Sequence, residues 1–499
     1  MPRVYAYGTV DEAFVAELRR RLPQKGCVFW KEDKDDDSKD EIEDASKDKS
    51  LHAPSTPDVI CYPTTIEEAR RAVELCAMKR VIIVPRGSGT GVEGAAIPTK
   101  GGVVICTMKL RDFEIRPDDF MVVCGPGLFK TEVNKRLNKE GFLFGPDPAS
   151  DPSVGGMCAT GGSGMSTYRY GTTKENIVSL KVVTAQGKLI ETRKQVRKSA
   201  AGFDLTQVFA GSEGLLGLIV ECTFHIKPLL KYRCGALATY KNVRTATAAV
   251  VRVRKSAPAT LTRLEMVNAE GVDAVNKHSK VSLPAKDTLF VECHGNDWNV
   301  LEQNMKVLEE QLTECGNMQT FTTAKGEEVD HLWEARRGCW YASFGVRRRE
   351  DAKDRTKSIP TDICVPVSKM ADVIAKTEKD FNDSGFPCIM CAHVIDGNFH
   401  CIVPFFNDEH KKLHEVETRM IDRTIAAGGT ITGEHGVGLG KMEHMSKEHS
   451  PELLRLMRRV KEALDPDNIM NPGKVIPEPP HGISDNINPE EYKNARAML

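Results

Sequence analysis

The chain has 499 residues, 40% of them hydrophobic, which is enough to bury two or more cores rather than one. Its 69 lysines and arginines stand against 70 aspartates and glutamates, a formal net charge of -1, which removes the electrostatic footprint expected of a nucleic-acid partner. No apolar run is long enough for a transmembrane helix, so the chain reads as a soluble globular protein.

Fifteen cysteines without a regular framework read as thiols of a reducing compartment rather than as disulfides. The only close pair is Cys388 and Cys391, and a single CxxC without a second pair falls short of a zinc site. An amphipathic stretch from Asp11 to Leu22 predicts a helix close to the N-terminus, and its acidic Asp11 and Glu12 speak against a transit peptide. Lys31 to Lys49 is almost wholly charged and polar around Asp35-Asp36-Asp37, and is expected to be a solvated, mobile loop that completes an N-terminal unit of residues 1–50.

Structure resumes with a short strand at Pro57 to Ile60, a helix from Thr65 to Lys79 and a β-branched strand at Val81 to Val84. That strand runs into Pro85-Arg86-Gly87-Ser88-Gly89-Thr90-Gly91-Val92-Glu93-Gly94. Small residues after a strand let successive backbone N–H groups converge on phosphate oxygens. Another strand, Gly101 to Ile105, follows in place of a long helix, which argues against a doubly wound dinucleotide fold. Taken alone, the tract fits a plain turn better than a pyrophosphate loop.

A second tract, Ser153 to Gly164, contains Gly156, Thr160, Gly161 and Gly164 and is followed by Arg169-Tyr170-Gly171. Lys181 to Thr184 and Lys188 to Glu191 flank Ala185-Gln186-Gly187 as a hairpin. A third tract, with Gly211, Glu213, Gly214 and Gly217, leads through Ile219 into a strand. Three such tracts in one α+β segment point to a large cofactor threaded between backbone loops.

From Tyr232 to about Ile425 helices and strands alternate without glycine tracts, as in a domain that covers a substrate. Arg336 lies there on a helix-like stretch with Trp333 and Trp340; it is suited to gripping a carboxylate, although taken alone a solvated surface arginine fits better. Arg347 to Asp351 reads as a mobile loop. His393 and His400, seven residues apart, flank Asp396-Gly397-Asn398, a type I′ hairpin signal. A hairpin brings both imidazoles toward one point, where they serve either as structural residues or, with Glu434, as ligands of a divalent metal. Glu434 and His435 form an adjacent acid and base within the glycine-rich run 428–438, which on its own also fits a polar turn.

The three glycine tracts, in this order and spacing, resemble the FAD-binding module of the vanillyl-alcohol oxidase and para-cresol methylhydroxylase (PCMH) type, over Pro57 to Leu230. The His-x-x-Asp-Gly-Asn-x-His block at 393–400, the Thr-Gly-Glu-His-Gly-Val-Gly block at 432–438 and Asp465 to Lys474 resemble FAD-linked D-2-hydroxy-acid dehydrogenases, above all the cytochrome-linked D-lactate dehydrogenases. Arg197 to Phe203, Thr361 to Pro366 and Gly397 to Ile402 extend that match, which runs from about Asp11 to Val475. It departs at Ile395, where the family commonly has glycine, and in the longer acidic segment at 31–49.

The resemblance implies an α+β fold: a two-lobed PCMH-type FAD-binding domain at 51–231, an α+β cap domain at 232–425, a C-terminal segment at 426–478 that returns to the FAD domain, and a tail at 479–499. It implies FAD, non-covalent because the first two tracts hold no histidine, with Arg86, Gly87, Ser88, Gly89, Thr90 and Gly91 about the pyrophosphate. Gly156, Thr160, Gly161, Gly164, Tyr170, Glu213, Gly214, Ile219 and Asn471 would line the rest.

It further implies that His393, His400 and Glu434 bind zinc or manganese, that His435 is the catalytic base and that Arg336 pairs with the substrate carboxylate. Pro360 stands where relatives acting on 2-hydroxyglutarate have a lysine, so the expected substrate is a monocarboxylate such as D-lactate or D-2-hydroxybutyrate. Electrons would pass to cytochrome c, a quinone or oxygen, and a homodimer is compatible with the family. Rival readings are a glycolate-type or 2-hydroxyglutarate-type dehydrogenase, an ether-lipid synthase, which should lack the two-histidine hairpin with Glu-His, and a non-catalytic flavin-binding subunit. Relatives are often mitochondrial. The match begins within about a dozen residues of Met1, however, so the expected location is the cytosol or a peroxisome-like organelle, Ala497-Met498-Leu499 resembling a Ser-Lys-Leu tail except at Met498.

Overall fold

The computed structural model describes residues 5–279, 281–347 and 356–478. The expected loop at 347–351 lies outside these residues except for Arg347, which pairs with Glu409, and the C-terminal tripeptide lies outside as well. The first helix is Glu12–Arg21: Asp11 caps it by accepting the Phe14 N–H, and Phe14, Val15 and Leu18 bury its apolar stripe.

In the first lobe, strands Val28–Trp30, Val59–Cys61, Val103–Cys106 and Ile83–Arg86 form one sheet in that order, antiparallel at the first pair and parallel thereafter. Helix Ile66–Lys79, capped by Thr65, buries Ala69, Ala72, Val73 and Cys76 against it. The acidic segment differs from the expected mobile loop. Residues Asp36–Ala45 form a helix, capped by Asp35, whose Ile42 and Ala45 pack with Ile60, Val84 and Val104 on the other face of the sheet. Three small or apolar residues, Ser38, Ile42 and Ala45, recur at helical spacing, and that narrow stripe suffices where a sheet stands ready to cover it.

The second lobe is a five-stranded antiparallel sheet in the order Phe113–Arg116, Met121–Cys124, Gly217–His225, Ile177–Thr184, Leu189–Glu191. The expected hairpin is its last pair, with Val183 opposite Leu189. The cap is an eight-stranded antiparallel sheet. Helices Val243–Ser256, Trp298–Thr313 and Val367–Asp383 cover one face, and Ala269–His278 and Glu327–Ser343 the other. The chain then returns to the first lobe, where the Ile83 N–H donates to Ile469 O at 2.8 Å and the Asn471 N–H donates to Ile83 O at 2.7 Å.

All fifteen cysteines are free thiols, and all but Cys315 and Cys364 are buried. Cys388 packs in the core on one face of the cap sheet and Cys391 in the core on the other, so the CxxC pair is divided by the strand that carries it. Among the described residues no helix is long and apolar enough to cross a membrane.

Candidate active site

A cavity of about 890 Å3 lies between the two lobes and the cap sheet. One wall is backbone from the glycine tracts, including Arg86, Gly87, Ser88, Gly89, Thr90, Gly91, Gly156, Thr160, Glu213, Gly214 and Ile219. The opposite wall carries Arg336, Trp340, Pro360, His393, His400, Ile402, Glu434 and His435. The first two tracts are knitted together: the Ser88 N–H donates to Ser153 Oγ at 3.3 Å and the Ser153 N–H to Ser88 Oγ at 3.1 Å. A Cβ on Gly87 would stand 2.4 Å from Ser153 Oγ, so the tracts approach this closely only because residue 87 has none.

Several expected cofactor contacts have other work. The Arg86 guanidinium donates to the carbonyls of Lys47 and Asp44 and to the Asp44 carboxylate, so its side chain ties the 36–45 helix to the tract and leaves its backbone to the cavity. Gly161, Gly164, Tyr170 and Asn471 are absent from the cavity wall. Gly161 caps helix Val154–Thr160 at positive φ, Gly164 packs on Asp147 O, and Tyr170 packs on Gly145. Asn471 donates to Ala95 O and Glu213 O, joining the first and third tracts from behind.

The histidine hairpin forms from strands Ile389–His393 and Asn398–Phe405. His393 lies opposite Asn398, and His400 opposite Cys391, so both imidazoles project from the same sheet face. Each ring is anchored through Nδ1: His393 Nδ1 stands 2.8 Å from Glu265 Oε1, and His400 Nδ1 donates to Thr361 O at 2.8 Å. That leaves both Nε2 atoms to Glu434 Oε1, at 3.3 Å and 3.2 Å. The three ligand atoms lie within 4.8 Å of one another. Imidazoles oriented from behind by a carboxylate and a carbonyl, with a second carboxylate between them, form a donor set suited to a divalent cation. The residues present therefore fit the implied metal, as the backbone-walled cavity fits a dinucleotide.

Glu265, unassigned from sequence, sits between Leu264 and Met266 on a buried strand, and its other oxygen accepts from Arg336 Nε and Nη2 at 3.1 and 2.8 Å. One edge of the Arg336 guanidinium is thus already taken, which leaves Nη1 for a ligand. Ser163, at the end of the second tract, donates to Glu434 Oε2 at 2.6 Å and joins the cofactor wall to the charged cluster.

Two further buried carboxylates shape the Glu-His loop. Asp362 accepts the backbone N–H groups of Glu434 and His435, each at 2.8 Å, the Thr432 hydroxyl, and Asn398 Nδ2. Glu213 accepts the N–H groups of Val437 and Gly438 at 2.7 and 2.9 Å. Gly433 and Gly436 are required, because a Cβ would meet Asn398 Nδ2 at 2.2 Å and Glu213 Oε1 at 2.8 Å respectively.

Burial opposes the charge on Glu434, yet His393 and His400 hold its carboxyl well below the usual range. Burial also opposes the charge on His393, which Glu265 and Glu434 more than offset, so its pKa is raised. His435 is different. Burial pushes its pKa down to about 4, against the pull of Asp362, so the ring is neutral at physiological pH and has an open lone pair. Its ring stacks on His400 at 5.0 Å.

Comparison with known proteins agrees with this architecture. Residues 57–193 match the family described as FAD binding domain, and residues 229–475 the FAD linked oxidases, C-terminal domain. The probable mitochondrial D-lactate dehydrogenase of Danio rerio is 35% identical over 442 residues, 87% of each chain. The mitochondrial D-lactate dehydrogenase (cytochrome) of Arabidopsis thaliana is 35% identical over 438 residues, 87% of this chain and 75% of its own. Among solved structures, p-cresol methylhydroxylase with substrate bound superposes with a TM-score of 0.76 at 14% identity, over 95% of this chain and 98% of its own, a likeness of fold. The chain belongs to the FAD-linked D-lactate dehydrogenase family of flavin-dependent oxidoreductases.

Proposed function

We propose that the protein oxidises a small D-2-hydroxy monocarboxylate, D-lactate first among them, to the 2-oxo acid. The observation that carries this reading is the meeting of His393 Nε2, His400 Nε2 and Glu434 Oε1 beside a neutral His435, on the wall that faces the glycine tracts. FAD, when bound between the tracts, supplies the acceptor for the hydrogen that leaves C2 as hydride. A divalent cation, when held by His393, His400 and Glu434, supplies a positive charge that acidifies the hydroxyl.

The rest is work for this chain's own side chains. Arg336 offers Nη1 to one carboxylate oxygen, and its edge on Glu265 holds the guanidinium plane in place. His435 takes the hydroxyl proton at a lone pair that is free because the ring is neutral. Pro360, Ile402 and Trp340 supply apolar wall, and Pro360 supplies no cation for a second carboxylate, which supports a short, uncharged side chain on the substrate.

The test is anaerobic mixing of the FAD-loaded protein with D- and L-lactate, D-2-hydroxybutyrate, glycolate and D-2-hydroxyglutarate, before and after chelation. Rapid bleaching by D-lactate, lost on chelation and restored by zinc or manganese, is expected. A preference for the diacid or the L-enantiomer overturns the substrate reading, and chelation without effect overturns the metal. Mixing the reduced enzyme with cytochrome c, a quinone or oxygen then identifies the electron acceptor by the fastest reoxidation.

A further inference from the structure

Glu93 closes the first glycine tract and has no part in the reading above, yet it is held more firmly than a loop residue needs to be. Its backbone carbonyl accepts the N–H groups of Leu439 and Gly440 at 2.7 and 3.1 Å, which docks the first tract onto the segment that follows His435. Gly438 and Gly440 are tailored to it: a Cβ on the first would lie 2.2 Å from Glu93 O, and on the second 2.3 Å from Glu93 Oε2. Its carboxylate is buried, with Oε1 3.0 Å from Lys441 Nζ and 3.9 Å from His435 Nδ1.

His435 presents the matching half. Its Nδ1 is buried and has no hydrogen-bond partner. Nε2 points the other way, 4.0 Å from Glu434 Oε1. Asp362 grips the His435 backbone and stands 3.6 Å from Lys441 Nζ, so the lysine lies between two carboxylates; an Asp362 oxygen also lies within 4.8 Å of a His435 ring nitrogen, whereas Glu93 Oε1 is 3.9 Å from Nδ1 itself. A buried N–H without a partner is costly, and at 3.9 Å the Glu93 carboxylate is within reach of Nδ1 after a small movement.

We propose that Glu93 is the positioning residue for the base: it accepts the Nδ1–H of His435, so that Nε2 carries the lone pair that meets the substrate hydroxyl, and Lys441 keeps the carboxylate aimed. This rests on the reaction proposed above. In that reaction the hydroxyl proton passes to His435 Nε2, and the C2 hydrogen leaves with its electron pair to the flavin as the C2–O bond becomes a carbonyl. Burial pushes the Glu93 carboxyl up to about 7 against the pull of Lys441, and in its charged form it faces the positive charge that develops on the ring.

The test is anaerobic stopped-flow reduction of FAD-loaded wild type, Glu93→Gln and Glu93→Asp, with metal content measured on each. For Glu93→Gln the limiting rate of flavin reduction should fall about 100-fold, as for an impaired general base, while half-saturation by D-lactate and the FAD and metal contents stay unchanged. The isotope effect from C2-deuterated lactate should shrink and the solvent isotope effect grow, because proton removal has become the harder part of the step. A merely structural role would lower FAD content or melting temperature and leave the rate per bound flavin and both isotope effects at wild-type values; that result overturns the proposal. If Glu93→Gln does not load FAD, Glu93→Asp decides: a slowed reduction with the same isotope signature supports the assignment, and a wild-type rate removes it. A wild-type flavin that no D-2-hydroxy acid reduces overturns the reaction reading and this one with it, whereas a reducible wild type matched by Glu93→Gln overturns Glu93 alone.

Discussion

The two walls of the cavity are built by opposite means. On the lobe side, residues 86–91 and 155–160 present backbone, and what matters is the side chains they lack: Gly87 lets two tracts touch through Ser153. On the cap side the wall is made of charge, with His393, His400, Glu434 and His435 each held by a buried carboxylate or carbonyl. Backbone donors can be arranged by one local turn. Several charges in a buried space must be balanced by partners brought from elsewhere in the chain. The lobe wall is therefore expected to tolerate any change that adds no bulk, and the cap wall to fail on changes that add none.

The sharpest break of this contrast is Glu434→Gln, nearly isosteric. It should lose the bound cation, by metal analysis, and lower the rate of flavin reduction about a thousandfold, in line with the several kcal/mol a metal supplies at a reacting oxygen. His435→Ala should keep FAD and metal and reduce flavin about 100- to 1000-fold more slowly; reduction at the wild-type rate would remove His435 as the base. Glu265→Gln acts through His393 and should weaken metal affinity about 10- to 100-fold by chelator competition, with FAD affinity unchanged.

On the lobe wall, Gly89→Ala should cost about 1–3 kcal/mol in a denaturant titration, because residue 89 has φ +67° and a Cβ there would meet the Arg86 guanidinium at 2.4 Å. The smallest effect concerns the seam between the walls. Asp147 pairs with Lys130 of the FAD domain and with Arg263 and Arg337 of the cap. Burial opposes its charge, but Arg263, Lys130 and Arg337 bring its pKa down to about 2. Because the folded value lies below the unfolded one, near 3.9, this stabilisation is complete above about pH 4 and is lost as the pH falls toward 2, worth roughly 2 kcal/mol. Asp147→Asn should flatten that part of a stability-versus-pH curve.

Much of the site was legible in one dimension because its signals are local. A glycine tract after a strand, two histidines astride Asp-Gly-Asn, and Glu-His among glycines are each short enough to read, and the structure brings His393, His400, Glu434 and His435 together. The helix at 36–45 was hidden by its charge, since three residues in ten sufficed to bury it. Glu265 left one trace, a carboxylate inside an apolar strand. Asp362 and Ser163 left none that names a partner, because Asp362 meets Glu434 across 72 positions of chain and Ser163 meets it across 271.

What the amino-acid sequence determined by itself is the kind of chemistry: which residues can bear a proton, a cation or a close backbone approach, and in what order they occur. Only the tertiary structure decided their allocation. It turned the Arg86 side chain away to Asp44, gave one edge of Arg336 to Glu265, gave the Glu213 carboxylate to the Val437 and Gly438 amides while Glu213 stays on the cavity wall, and set Glu93 beside an unpartnered His435 nitrogen. The reason is that a buried charge takes whichever counter-charge the fold brings within about 4 Å, and that distance depends on how distant strands and loops pack rather than on the residues beside it in the chain.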